Sequence, residues 1–297
     1  MTPAAGPTAF VFAGGGSLGS VQAGMLYALV EAGVAPDFLV GSSVGALNAA
    51  YFAGAPDLEG AAALIEVWHG LRRSDVFPLA LPQILRAFRR SESLVDPGPL
   101  RRLIAANLRF PLLEEAQVPL HVMATDQRGA SVRLSNGPAI EAVLASAAIP
   151  GIFPAVTIAG QQLMDGAIAA NTPLSLAARL GARRIIVLPT GYACALEGPP
   201  RGAIAQALHA VTLLITWQLM HEIKTTPAEI EVHVAPTLCP LDVSPFDFSA
   251  SRRLIERATA TTREWIADGG LTRPAQARAL AAHHHRHRTL PATAPQA

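Results

Sequence analysis

The stretch Phe38-Leu39-Val40-Gly41-Ser42-Ser43-Val44-Gly45 joins an apolar run to an alanine-rich one through a knot of small residues. Only Ser43 fits Gly-x-Ser-x-Gly. That pattern is a strand–turn–helix device that exposes a serine hydroxyl above a sheet. Its glycines are needed because the turn is tight and side chains there would clash. Small-residue turns after strands are common, so the rest of the chain must decide whether Ser43 is a nucleophile or a turn residue.

Upstream, Thr8–Phe12 reads as a strand, Gly14–Gly19 as a loop and Ser20–Glu31 as a helix ended by Gly33. Phe38–Val40 is a second strand and Val44–Ala53 a second helix, ended by Gly54. Strand, helix, strand, helix at this spacing predicts parallel strands with right-handed crossovers. The pattern resumes with strands Leu120–Ala124 and Ser131–Leu134 and helix Ala139–Ala147. A hairpin of Val156–Ile158 and Gln162–Met164 turns at Ala159-Gly160. Helix Pro173–Leu180, buried strand Arg184–Leu188, a long helix from Ala203, strand Ile230–Val234 and helix Ser249–Ala267 complete it. Leu71–Phe110 differs: it carries eight arginines against three acids and is broken by Pro78, Pro82, Pro97 and Pro99. It is expected as a basic helical insertion or cap over 71–110. Residues 275–297 have low complexity and are expected to be a disordered tail.

The 297 residues are 51% hydrophobic and 15% charged, which excludes a disordered chain and allows a large core. A net charge of +1 gives no global bias toward nucleic acid. The N-terminus lacks a basic n-region, and Ala9–Ala13 is too short for a signal h-region. Cys194 and Cys239 have no metal spacing and read as reduced, buried thiols. Both points favour the cytoplasm. Ala203–Met220 carries no formal charge and is of borderline spanning length. Gln206, His209, Thr212, Thr216 and Gln218 make it expensive in hydrocarbon, so a long, mostly buried helix is the better reading.

The first glycine cluster supports two chemistries. Gly14-x-Gly16-x-x-Gly19 matches the dinucleotide fingerprint, and Asp37 follows at about 20 residues, near the distance of a ribose-binding acid. A nicotinamide-dependent oxidoreductase is therefore one reading. Against it, Gly15 is not required by the fingerprint, and Asp37 precedes strand 2 rather than ending it. The other reading is an oxyanion hole, in which backbone N–H groups and a helix N-terminus favour an anion beside Ser43.

A serine nucleophile needs a base. His209 and His221 lie within a long helix, His233 within a strand, and His283, His284, His285 and His287 in the tail; all read as structural or solvated. Asp165, at the end of the hairpin and followed by Gly166 and Ala167, is the alternative. Its bland reading is an ordinary Asp-Gly turn, as at Asp268-Gly269-Gly270. Thr125-Asp126 is a further acid near a strand end and reads as a structural turn.

Gly14-Gly15-Gly16-Ser17-Leu18-Gly19, Gly41-x-Ser43-x-Gly45, the Ser146–Pro154 string and Asp165-Gly166-Ala167, in this order, closely resemble the patatin-like phospholipases. The resemblance runs from about Thr8 to at least Leu188, and Pro245-Phe246-Asp247-Phe248-Ser249 resembles the C-terminal part of bacterial members. It implies an α/β, three-layer patatin-like fold over 8–270, with a mixed, mainly parallel central sheet flanked by helices and a small helical cap. It implies a Ser43–Asp165 dyad without a catalytic histidine, and an oxyanion hole of Gly15, Gly16 and Ser17 amides. The activity implied is hydrolysis of acyl esters of phospholipid, lysophospholipid or neutral lipid through an acyl-enzyme, with no metal or organic cofactor. Many family members carry a basic residue where this chain has Leu18, and the third motif ends in Ala167 instead of glycine. A peripheral contact of the 71–110 arginines with an anionic inner-membrane face is a further expectation. A catalytically idle lipid-binding protein of this fold is the remaining alternative.

Overall fold

A computed structural model of the protein describes residues 6–78, 94–191, 202–239, 241 and 243–280. Eight strands form one sheet: β1 (Thr8–Phe12), β2 (Phe38–Ser42), β3 (Leu120–Asp126), β4 (Ser131–Leu134), β5 (Val156–Ile158), β6 (Gln161–Asp165), β7 (Arg184–Leu188) and β8 (Glu231–Val234). Their order is β5-β6-β3-β2-β1-β7-β8, with β4 paired to β3. β3, β2, β1, β7 and β8 run parallel, and β4, β5 and β6 join antiparallel. The sheet is thus mixed and mainly parallel, as the alternating pattern predicts.

Among the described residues the α-helices are α1 (Gly19–Glu31), α2 (Val44–Ala53), α3 (Leu58–Gly70), α4 (Arg73–Val76), α5 (Gly98–Asn107), α6 (Ala139–Ser146), α7 (Ala167–Ala170), α8 (Leu174–Arg179), α9 (Ala203–Thr225) and α10 (Ser251–Ala267). Side chains alternate across each strand, so the sheet builds two cores. In β1, Phe10 and Phe12 enter the core under α1, α2, α3, α6 and α10, and Ala9 and Val11 enter the one under α8 and α9. Three layers result. The parallel strands end together at Phe12, Ser42 and Leu188, and the sheet's carboxyl edge is where the glycine loop and Ser43 emerge.

Two elements differ from the sequence expectations, a helix after α2 and the start of the tail, while the basic segment forms short helices as read. Helix α3 was not anticipated; Asp57 caps it by accepting the Gly60 N–H at 2.7 Å. The basic segment contributes α4 and α5, and residues 79–93 of it lie outside the described residues. Phe77, just after α4, packs against Phe153, Phe246 and Phe248 at 5.7, 5.3 and 6.2 Å between ring centroids, tying the end of α4 to the 245–249 stretch. The tail is docked as far as it is described: Ala275 donates to the Val232 carbonyl at 2.7 Å and Leu280 packs on the second core. Residues 281–297 lie outside the described residues.

Two corrections bear on location. Cys239 is disulfide-bonded, and there is no free cysteine among the described residues. The other cysteine of the chain, Cys194, lies outside them. Cys239 is therefore not the reduced thiol expected from the sequence. Helix α9 is also less buried than expected. Its inner side holds Thr216 and Leu219, but Leu214 is 70% and Trp217 67% exposed. No helix among the described residues is long and apolar enough to cross a membrane.

Candidate active site

Ser43 sits between β2 and α2 with φ 54° and ψ −127°, a region L-residues avoid and which elsewhere marks functional strain. The strain is held by close packing. A Cβ on Gly41 would lie 2.6 Å from the Gly45 carbonyl oxygen, and one on Gly45 would lie 2.6 Å from that of Ala13. Only glycines let α2 press this tightly on β2 and on the end of β1. The Ser43 N–H donates to Ser146 Oγ at 2.9 Å.

The exposed-hydroxyl device points Ser43 Oγ at a carboxylate: it donates to Asp165 Oδ2 at 2.7 Å, across 122 residues of sequence. Asp165 ends β6, and its other oxygen, Oδ1, accepts the Ala167 N–H at 2.8 Å. Its backbone is fastened separately. Thr125 Oγ1 donates to the Asp165 carbonyl at 2.8 Å, the Asp165 N–H to Ala148 O at 2.9 Å, and the Gly166 N–H to Ser146 O at 3.1 Å. The Ser146–Pro154 string thus braces both members of the pair. Asp165 is only 4% exposed, and burial pushes its carboxyl up to about 6, opposed by the hydrogen bonds from Ser43 and Ala167. A carboxylate so placed is a stronger base than a free aspartate and is still largely ionised at neutral pH.

The glycine loop lies over this pair. A Cβ on Gly14 would come within 3.2 Å of Ser43 Cβ. Gly14 donates its N–H to Asn171 O at 3.2 Å, and its carbonyl accepts from Thr190 Oγ1 at 2.7 Å. Gly16 has φ 60°, and a side chain there would meet the Pro245 carbonyl oxygen at 2.6 Å. Ser17 departs from its expected role: its N–H donates to Pro245 O at 2.8 Å and its Oγ to Ser244 O at 3.1 Å. Among the described residues the amides of Gly15 and Gly16 have no such partner. Gly19 opens α1 by packing on Val44 and Trp68.

Several supporting residues carry no motif. Gln22 Nε2 donates to Ala13 O and Leu188 O, both at 2.8 Å. Asn48 Nδ2 bonds Gln22 Oε1 and Gly19 O, and Trp68 Nε1 bonds Asn48 Oδ1 at 2.9 Å. This buried network locks α1, α2 and α3 to the base of the glycine loop. A lone Asn or Gln in a helix gives no sequence signal for it.

Beside Ser43 opens an apolar cavity of about 90 Å³ that also touches Gly16. Leu47, Leu64, Trp68, Phe77, Ile104 and Val143 are among its walls, so α2, α3, α5, α6 and the residue after α4 enclose a space that begins at the serine.

The other candidates lie elsewhere. Asp37 receives the Thr8 N–H at 2.6 Å, at the start of β1 and β2, the edge opposite the glycine loop; it is not placed to meet a ribose there. His233 is buried in β8 with Nδ1 3.1 Å from Gly270 O. Among the described residues, no histidine hydrogen-bonds Ser43 or Asp165. Asp126 closes a turn onto Arg128 and Ala130, as read from sequence, whereas the adjacent Thr125 braces Asp165.

Fold and site together define a class: an α/β protein whose strained serine elbow, buried aspartate and glycine loop share one sheet edge. The patatin-like phospholipase family model matches residues 10–178, more than half of the chain, and the chain belongs to that family. It is 28% identical over 185 residues to a patatin-like phospholipase domain-containing protein of Caenorhabditis elegans, covering 61% of this chain and 16% of that protein. It is 30% identical over 168 residues to an uncharacterised NTE family protein of Mycobacterium tuberculosis, covering 56% and 27%. The chain spans less than a third of the length of these curated relatives. VipD from Legionella pneumophila aligns with a TM-score of 0.49 and 14% identity, over 88% of this chain and 67% of that one.

Proposed function

We propose that the protein is a serine acyl hydrolase that cleaves carboxylic ester bonds of lipids through a Ser43–Asp165 dyad. The observation that carries this reading is the 2.7 Å hydrogen bond between Ser43 Oγ and Asp165 Oδ2, beside an apolar cavity that Ser43 helps to line. Asp165 takes the hydroxyl proton as Ser43 Oγ attacks the ester carbonyl. The Gly15 and Gly16 amides receive the oxyanion, each donor of this kind contributing roughly 3 kcal/mol. Collapse expels the alcohol, which takes the proton back from Asp165, and leaves an acyl-Ser43 ester. Asp165 then activates a water that releases the fatty acid and restores the serine.

The 8–270 region acts as one hydrolase domain, with the 71–110 segment as a cap over the acyl slot. The test is direct. A fluorophosphonate probe should label Ser43, and Ser43→Ala should lower turnover of a short p-nitrophenyl ester by at least roughly 10³-fold. Labelling at another serine would sink the mechanism. Fatty-acid binding with no turnover by the wild type would instead favour the idle lipid-binding reading.

A further inference from the structure

The outward side of α9 is apolar where a surface helix is normally polar. Val211, Leu213, Leu214 and Trp217 are 50%, 40%, 70% and 67% exposed. The same side turns polar toward the C-terminus at His221, Lys224 and Thr225. The change along the helix has a topological meaning. β7 and β8 are parallel, so the helix linking them must run back across the sheet. Its N-terminal half therefore stands at the carboxyl edge, the edge of Ser43, and its C-terminal half at the opposite one. Gln218 fixes the level: Nε2 donates to Ala169 O at 3.0 Å and Oε1 accepts the Asn171 N–H at 3.2 Å. That joins the Trp217 turn to α7, which begins two residues after Asp165. The apolar residues upstream of Gln218 rise from the level of the active-site loop to the rim. Ile168, in α7 and 50% exposed, adds to it.

Resting on the hydrolase reading above, we propose that the rim of Ile168, Val211, Leu213, Leu214 and Trp217 docks the enzyme on a neutral lipid surface. Three observations choose this occupant. Ala203–Met220 carries no formal charge, so the patch offers nothing to a charged partner. Its five described apolar side chains, 40–70% exposed, cluster on one face, the kind of exposed apolar patch that marks a membrane or ligand contact. And Gln218, one residue past Trp217, is tied to Ala169 and Asn171 beside Asp165, so under the hydrolase reading lipid held on the rim is close to the serine. Tryptophan, with an apolar ring and a polar N–H, suits the bilayer boundary. Docking by this rim is hydrophobic, unlike docking by the arginines of the 71–110 segment.

The test uses the full 297-residue chain and phosphatidylcholine vesicles. Binding to them should persist from 0.1 to 1 M NaCl, with a blue shift of tryptophan emission that Trp217→Phe abolishes. The pair Leu214→Ser with Trp217→Ala should weaken vesicle binding by roughly tenfold or more. Hydrolysis of vesicle lipid should fall with it, while kcat/KM on a soluble short ester stays within about twofold. Binding is measured in parallel on Ser43→Ala, which should dock as the wild type does; a wild type that docks but hydrolyses no ester sinks only the catalytic reading. Unchanged binding by the pair overturns the proposal, as does binding that disappears in salt, which would move docking to the arginines. A dimer that the pair dissociates would identify the occupant as a second copy and overturn it equally. An emission maximum that is already blue-shifted without lipid, and that red-shifts in Trp217→Phe, would mean the protein itself covers the rim and would overturn the proposal.

Discussion

Two non-glycine residues among the described ones have positive φ, Ser43 at 54° and Ala159 at 50°. Their surroundings could hardly differ more. Ala159 lies in the exposed β5–β6 turn and is followed by Gly160 at φ 78°; two successive positive values are what a tight hairpin of this hand requires. Nothing distant holds it there. Ser43 is 7% exposed and is held by Ser146 on α6, Asp165 on β6 and two glycines with no room for a side chain. The same backbone irregularity is local turn chemistry in one place and imposed tertiary strain in the other. Only the second kind aims a reactive group, and substitutions should separate the two.

The largest effect is expected at Asp165. Asp165→Asn should lower ester hydrolysis by roughly 10³-fold or more, because an amide cannot take the Ser43 proton. In the wild type kcat/KM should rise with pH through about 6, where burial places the carboxyl, and then level off. Stability should move the opposite way. The folded value is above the 3.8 of an ordinary aspartate, so the fold prefers the protonated form. Its contribution is present below pH 4 and is lost as pH rises to about 6. Asp165→Asn should therefore match the wild type in thermal stability near pH 4 and exceed it at pH 7, by up to about 3 kcal/mol. Equal stability at both pH values would mean the carboxyl is not desolvated, and a pH profile without a rise near 6 would say the same.

A middling effect is expected at Ser146, which belongs to the elbow's restraints and not to its chemistry. Ser146→Ala leaves the buried Ser43 N–H without an acceptor, a loss of about 1–3 kcal/mol. Activity should fall roughly tenfold through misplacement of Oγ, with fluorophosphonate labelling slowed but still confined to Ser43. Full activity would show that the glycines alone maintain the elbow.

This contrast also explains what the amino-acid sequence discloses. Ser43, Asp165 and the Gly14–Gly19 loop are legible because tight turns demand glycines at fixed spacing. The sheet is legible because apolar runs alternate with helical ones. Ser146, Thr125, Thr190 and the Gln22–Asn48–Trp68 network are not legible. Each acts through a contact with a residue far along the chain, and a lone polar side chain in a helix or strand announces none of it. Ser17 was misassigned for the same reason: its N–H is claimed by Pro245, 227 or more residues away in a segment that the loop's own sequence does not mention. Helix α9 was read as mostly buried because its composition is apolar; where the sheet edge ends cannot be seen in composition.

The smallest effect is expected at Ala159, and it is the sharpest control. An alanine at positive φ is strained by about 1 kcal/mol relative to glycine, and glycine loses part of that advantage by gaining freedom in the unfolded chain. Ala159→Gly should thus stabilise by only about 0.5 kcal/mol, measured by urea unfolding with an unchanged m-value, and leave kcat/KM untouched. Val at the same position should destabilise, because a β-branched side chain tolerates positive φ least. If Ala159→Gly altered activity, the hairpin would have to be transmitting its geometry along β6 to Asp165, and the division between a local turn and a functional strain would fail. If it left activity alone while raising stability, the strain at Ser43 would stand apart as the one that long-range packing maintains for the hydroxyl it aims.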